Sequence, residues 1–210
     1  MAFAEASLSM MPYLTVMPIL LPAVAAALIF VVRPMQLQRT IALGTLFALA
    51  AIAATMIITV DVHGIHTVQM GGWDAPIGIT LVADRLSTVM LFVSSIVLFA
   101  VMWYGISQGL RDGDEDDPVA VFLPVYMLLS MGVNLSFLAG DLFNLYVGFE
   151  VFLVASYVLL TLGASPGRVR AGIGYVMVSV ASSMVFLFAL ALIYACLLYT
   201  SPSPRDATLS

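Results

Sequence analysis

The chain has 210 residues, of which 62% are hydrophobic and only 9% charged, with a formal net charge of −5 at pH 7, and its mean hydropathy is +1.11. A water-soluble domain of this length cannot hide that much apolar surface, so the composition excludes one and makes the bilayer the solvent for most of the sequence. The absence of lysine and of any basic patch excludes an electrostatic nucleic-acid surface, and the single cysteine, Cys196, excludes an internal disulfide framework or a multi-cysteine metal site.

About 20 apolar residues cross the hydrocarbon core as a helix. The first predicted helix covers 14–32 and ends at Arg33-Pro34. The residues before it carry one charge, Glu5, and no basic region, so this is a true span and not a cleaved signal peptide. The second covers 41–60 and ends at Asp61-Val62-His63. Between 61 and 85 lies the one long connection. Its short β-prone runs, punctuated by Gly71-Gly72-Trp73 and Asp74-Ala75-Pro76, predict a short external hairpin. His63 and His66 lack a third ligand nearby and are read as solvated loop residues; no metal or cofactor site is predicted.

The third helix covers 86–106, with Trp103 and Tyr104 as interface anchors. An acidic run, Asp112 to Asp117, holds five of the twelve acids and leads through Pro118 into the fourth helix, 119–139. The fifth covers 142–162 after a turn at Gly140-Asp141, and the sixth covers 171–195. Pro22 and Pro124 fall within spans and predict local kinks. The fold class is therefore all-α integral membrane with about six transmembrane helices. Arg33, Arg39, Arg111, Arg168 and Arg170 lie in connections on one side and Arg85 alone on the other. By the positive-inside rule this places the N-terminus outside.

An ionisable side chain deep in a span costs on the order of 2.5–3.5 kcal/mol on insertion scales and marks a functional position by default. Glu150 is such a residue, roughly 12 Å from the start of the fifth helix. Tyr146, Tyr157 and Thr161 fall within roughly 40° of it on the helical wheel. Polar stripes also run along other spans. The fourth carries Ser130 and Asn134, the third Ser87, Ser94 and Ser95, and the sixth Tyr175, Ser179 and Ser182 with Ser183 beside them. If these faces converge they enclose a hydrated, proton-conducting interior; the competing reading is ordinary small-residue packing between helices. Burial away from water favours the protonated form of a carboxyl, which suits Glu150 to proton exchange. Asp141 is predicted to cap the fifth helix, with an ion-path role as the alternative.

The run from Met131 to Phe152, with its Gly140-Asp141-Leu142-Phe143-Asn144-Leu145-Tyr146-Val147-Gly148-Phe149-Glu150 core, resembles the D-type membrane subunits of the Mrp-type multisubunit Na⁺/H⁺ antiporters. Ala155-Ser156-Tyr157-Val158-Leu159-Leu160, Gly71-Gly72-Trp73, Ala83-Asp84-Arg85-Leu86 and Met17-Pro18-Ile19-Leu20-Leu21-Pro22 extend the match across most of residues 12–195. Such subunits are similar to the proton-pumping membrane subunits of respiratory complex I. The resemblance implies a longer protein of about fourteen helices, of which residues 1–195 are the N-terminal transmembrane region. It implies that Glu150 pairs with a lysine on a seventh helix. Residues 196–210 depart from the family and read as a non-native read-through tail.

The function expected is that of a membrane subunit of a monovalent cation/proton antiporter. Glu150 would transfer protons, and Tyr146, Tyr157, Thr161, Asn134, Ser130, Ser179 and Ser182 would be path candidates. The expected partners are other membrane subunits of the same complex, protons, monovalent cations and the lipid of a bacterial inner membrane. One alternative is a proton-pumping, non-redox subunit of an NADH:quinone-type oxidoreductase. This chain itself carries no Gly-rich dinucleotide fingerprint and no cysteine cluster for an iron–sulfur centre. Another is a structural scaffold that moves no ion, in which Glu150 only bonds a neighbouring helix.

Overall fold

In the computed structural model, residues 2–70, 78–108, 121–162 and 166–200 are described, with side chains over 10–70, 78–108, 121–162 and 166–196. The elements run α1 (Ala2–Val31), α2 (Met35–His63), β1 (His66–Met70), β2 (Ile79–Ala83), α3 (Arg85–Ser107), α4 (Phe122–Leu138), α5 (Leu142–Thr161) and α6 (Pro166–Thr200). Five of these helices are long and apolar enough to cross a membrane, and α4 is a shorter apolar helix of 17 residues. At the usual rise α4 measures about 25 Å, the lower limit for a span. The chain is a multi-pass membrane protein, and large apolar side chains such as Phe30, Phe47 and Phe188 stand exposed on its outer faces.

The helix α1 begins well before the expected start at residue 14, because the Ala-, Leu- and Met-rich residues ahead of the span are good helix formers whatever solvent surrounds them. It also runs through Pro12, Pro18 and Pro22. Proline has no N–H, so Pro22 leaves the carbonyl of Pro18 without its helical donor. Asn134 Nδ2 supplies the missing donor from α4, at 2.8 Å. Pro124 behaves differently from expectation. It falls in the first turn of α4, where backbone N–H groups have no helical acceptor anyway, so it needs no kink.

Several of the described turns are closed by identifiable chemistry. Gln38 Nε2 donates to Ile29 O at 3.2 Å and Val32 O at 2.6 Å, covering carbonyls at the end of α1. Gly64 ends α2 at φ 85°, a left-handed conformation that suits glycine, and its N–H reaches Val60 O. Asp84 caps α3 in a reciprocal box: Ser87 N donates to Asp84 Oδ1 at 2.6 Å and Asp84 N–H is accepted by Ser87 Oγ at 2.8 Å. Ser94 and Ser95, on the third helix's polar stripe, instead bond back to Leu91 O.

The strands β1 and β2 pair antiparallel from His66↔Ala83 to Met70↔Ile79. The residues joining them, 71–77, which include Gly71-Gly72-Trp73, lie outside the described residues, as does the acidic run after α3. Alternation puts Ile79, Leu81 and Ala83 on one face of β2; Leu81 and Ala83 are fully buried there, while Ile79, at the open end of the strand, is exposed. The second strand lies across the turn between α4 and α5: Gly140 N–H donates to Thr80 O at 2.8 Å, and Leu81 bridges Ala139. A Cβ on Gly140 would meet Val82 Cγ2 at 2.7 Å and Thr80 O at 2.8 Å, so the close approach requires glycine.

The buried core belongs to the first four helices and the hairpin. One cluster joins Ala26 and Ile29 of α1, Leu46 and Leu49 of α2, Met102 of α3 and Met127 of α4. The other joins Met11, Met56, Val60, Leu81, Leu91 and Leu138 nearer the hairpin. The last two helices contribute no fully buried residue to either cluster, although Leu159 of α5 packs against the first. Residues of α5 pack on α4, and α6 packs on α5 while most of its side chains remain exposed.

Candidate functional site: the carboxyl between α5 and α6

The site begins at the N-terminus of α5. Asp141 is its N-cap, accepting from Asn144 N–H at 2.8 Å and from the Asn144 side-chain amide. The body of α5 is then pressed onto α4 through glycine. A Cβ on Gly148 would lie 2.9 Å from Ser136 N, and one on Gly132 would lie 2.7 Å from Phe152 N. Asn144, Gly148 and Ala155 form the buried face of α5, and that leaves Tyr146, Glu150, Leu153 and Tyr157 on the side towards α6.

The second wall is α6. It comes close to α5 at Gly172, where a Cβ would run into the Thr161 methyl. From there a stripe with helical spacing, Tyr175, Ser179 and Ser183, faces α5. Ser183 Oγ donates to Glu150 Oε1 and also lies 3.3 Å from Tyr146 Oη. Ser156 Oγ and Tyr175 Oη are hydrogen-bonded across the same interface at 2.8 Å. Between these contacts lies a cleft of about 140 Å³ whose polar walls are Glu150, Tyr157, Tyr175 and Ser179. The ring of Phe186 packs edge-on to Tyr146 and Phe149, at 5.9 and 6.1 Å, closing the Glu150 contact on one side.

The sequence-predicted residues divide into three groups. Tyr146, Glu150, Tyr157 and Ser179 come together around the cleft and its serine contact. Thr161 lies on the same face, but its hydroxyl bonds back to Tyr157 O at 3.0 Å while its methyl meets Gly172. Ser182 is on the exposed side of α6. Ser130 and Asn134 are not brought to Glu150. They are buried, at 0% and 1% exposure, on the face of α4 that meets α1, where Asn134 holds the Pro18 carbonyl.

The residue that sequence reasoning did not single out is Ser183. Tyr175–Ser179–Ser183 and Tyr175–Ser179–Ser182 are both helical spacings, and the structure chooses between them by turning Ser183 to Glu150 and leaving Ser182 exposed. No group of three or more His, Cys, Asp or Glu residues positioned to hold a metal ion occurs among the described residues. What the arrangement offers is an acid joined to a serine hydroxyl, with phenol and serine groups along a narrow cleft, all able both to accept and to donate a proton.

Comparison with known proteins gives a consistent placement. Residues 139–200 match the transmembrane family model described as NADH:quinone oxidoreductase/Mrp antiporter. A Staphylococcus haemolyticus protein named as antiporter subunit mnhD2 is 42% identical over 183 residues, covering 86% of this chain and 36% of that protein. Its namesake in Staphylococcus aureus strain JH9 is 39% identical over 187 residues, covering 88% and 36%. The chain thus spans about a third of the length of the curated relatives it matches. In the solved Mrp complex from Dietzia sp. DQ12-45-1b, one chain superposes with a TM-score of 0.80 at 27% identity, covering 88% of this chain and 34% of that one. A chain of the archaeal membrane-bound sulfane sulfur reductase shares the fold, with a TM-score of 0.76 at 23% identity, covering 86% and 37%. By sequence and by fold, the chain resembles the NADH:quinone oxidoreductase/Mrp antiporter membrane subunits, and among them the antiporter D subunits.

Proposed function

We propose that this chain is the N-terminal transmembrane part of a cation/proton antiporter subunit, and that Glu150 is a proton-transfer group within it. The observation that carries the reading is the Glu150–Ser183 hydrogen bond across α5 and α6, beside a cleft lined by Tyr157, Tyr175 and Ser179. A carboxyl at this depth is costly unless it has a partner or a task. Ser183 touches both the Glu150 carboxyl and the Tyr146 phenol, a short relay along which a proton could step, and Tyr157, Tyr175 and Ser179 line the cleft beside it. The cationic partner implied by the family resemblance would come from a helix beyond α6, and the other partners would be membrane subunits of the same complex. The protein would reside in a bacterial inner membrane with its N-terminus and hairpin outside; the family match and α6 both run to residue 200, so the read-through tail expected over 196–210 would begin only after that residue.

The test is Glu150→Gln, which keeps the size and a hydrogen-bond acceptor for Ser183 but cannot ionise. Infrared difference spectra of the assembled antiporter in lipid, taken as cation-driven proton movement is started, are expected to show a carboxyl band that changes and that is missing in the variant. In the assembled antiporter the same substitution is expected to abolish cation-driven proton movement in vesicles while leaving assembly intact. A carboxyl band that never changes state, or antiport retained in Glu150→Gln, would sink the proposal. A redox-driven role is the second reading, because the matching family model covers NADH:quinone oxidoreductases as well. The curated relatives' names favour the antiporter.

A further inference from the structure

On the fourth helix, two buried polar atoms have no hydrogen-bond partner among the described residues: Ser130 Oγ and Asn134 Oδ1. Their residues are 0% and 1% exposed, on the face of α4 that meets α1. Polar atoms so deeply buried are costly to leave unpaired. We propose that one water molecule is bound between α1 and α4, accepting from Ser130 Oγ and donating to Asn134 Oδ1 and to the Pro18 carbonyl. The site is separate from the Glu150 cleft and does not rest on the function proposed there.

Pro22 offers no N–H to the Pro18 carbonyl, and Asn134 Nδ2 donates to it instead, at 2.8 Å. A carbonyl only accepts, so the NH2 end of the amide must face it, and Asn134 Oδ1 is left to find a donor elsewhere. Ser130 stands one turn away on the same helix, where Cβ atoms are about 5–6 Å apart. Its oxygen and Asn134 Oδ1 are not bonded to each other, and a single water bridges such a gap. The Ser130 hydroxyl is also unlike its counterparts. Those of Thr15, Thr59, Ser95 and Ser136 donate to the carbonyl four residues earlier in their own helices, whereas that of Ser130 does not. Met11 clusters with Leu138 and Ile29 with Met127, so α1 and α4 run antiparallel. The Pro18 carbonyl, directed along α1 towards Pro22, is thereby directed along α4 towards Ser130. Its second lone pair completes a set of about three partners, the usual number for a buried water. These groups are neutral, and a bare cation among them would lack a counter-charge, so water is the ligand they fit.

The chain has two asparagines, Asn134 and Asn144, so isotopic labelling of asparagine nitrogen gives two side-chain amide signals, and Asn144→Gln tells them apart. Magnetisation transfer from water is measured by solid-state NMR on the full chain in lipid bilayers. The Asn134 amide is expected to receive it although it is buried. Ser130→Ala, which removes the hydroxyl but leaves the space, is expected to weaken the transfer. Ser130→Val, which fills the space, is expected to abolish it, and an unmoved Asn144 signal marks an intact fold in both. If Ser130→Val does not fold, Ser130→Ala decides. No transfer to Asn134 in the unsubstituted chain, or transfer unchanged in Ser130→Ala, overturns the proposal. So does an Asn134 signal that shifts when sodium chloride replaces choline chloride, which would mean that a cation occupies the site.

Discussion

Replacing Gly132 by alanine tests whether α4 and α5 are held together by the absence of one side chain. The added Cβ would lie 2.7 Å from Phe152 N, 3.0 Å from Phe152 Cβ and 3.1 Å from Gly148 O. Nonbonded carbon contacts settle at about 3.5–4.0 Å, so the helices must separate locally by about 0.8 Å or more. The nearest atom is backbone and cannot rotate away. Overpacking of this kind costs about 1–3 kcal/mol. Alanine also gains up to about 1 kcal/mol over glycine through helix propensity, with the opposite sign. Gly44→Ala and Gly105→Ala isolate that gain, because a Cβ at either position meets nothing within 4 Å. Reversible unfolding of the three variants in mixed micelles is therefore expected to place Gly132→Ala below the other two by about 1–3 kcal/mol. If Gly132→Ala is as stable as Gly105→Ala, the close crossing of α4 and α5 is refuted, and with it the account of how Glu150 is presented to α6.

Three further substitutions probe single contacts. Gly140→Ala is expected to lift β2 from the α4–α5 turn and raise amide hydrogen exchange over Thr80–Ala83, leaving the helices protected; unchanged exchange would contradict the docking seen at Thr80 O. Asp141→Ala removes the α5 cap and is expected to cost about 1 kcal/mol, with Asp141→Asn largely restoring it; equal stability of all three proteins in the same unfolding assay would count against capping. Asn134→Leu strands the Pro18 carbonyl in the α1–α4 contact and is expected to cost about 1–3 kcal/mol. Repairing the helix with Pro22→Ala in that background should recover much of the loss, and failure to recover it would show that the carbonyl is not what Asn134 serves.

Most of the architecture could be read from run length alone, because a helix that must satisfy its own backbone in lipid cannot be much shorter than the bilayer is thick. Local chemistry was equally readable where partners are neighbours in sequence, as at Asp141 with Asn144 and along the Glu150 stripe of Tyr146 and Tyr157. What could not be read was the choice between helices. Ser130 and Asn134 carry the same polar signal as Ser179, yet they turn to α1, where proline has left a carbonyl to be met. Adjacent serines at 182 and 183 differ only in helical phase, and the side on which α5 stands is tertiary information. The early start of α1 was missed because an apolar-window criterion detects the membrane crossing, while helix propensity continues past it.

The pairing of Asn134 with the Pro18 carbonyl joins residues 116 positions apart, and this has a bearing on biogenesis. At synthesis rates of about 5–20 residues per second, on the order of ten seconds separate the emergence of the two partners. During that interval the first helix carries a main-chain oxygen with no donor of its own, which hydrocarbon tolerates poorly. The first helix is therefore expected to reach its final place only once the fourth has been made, so that the order of synthesis differs from the order of settling.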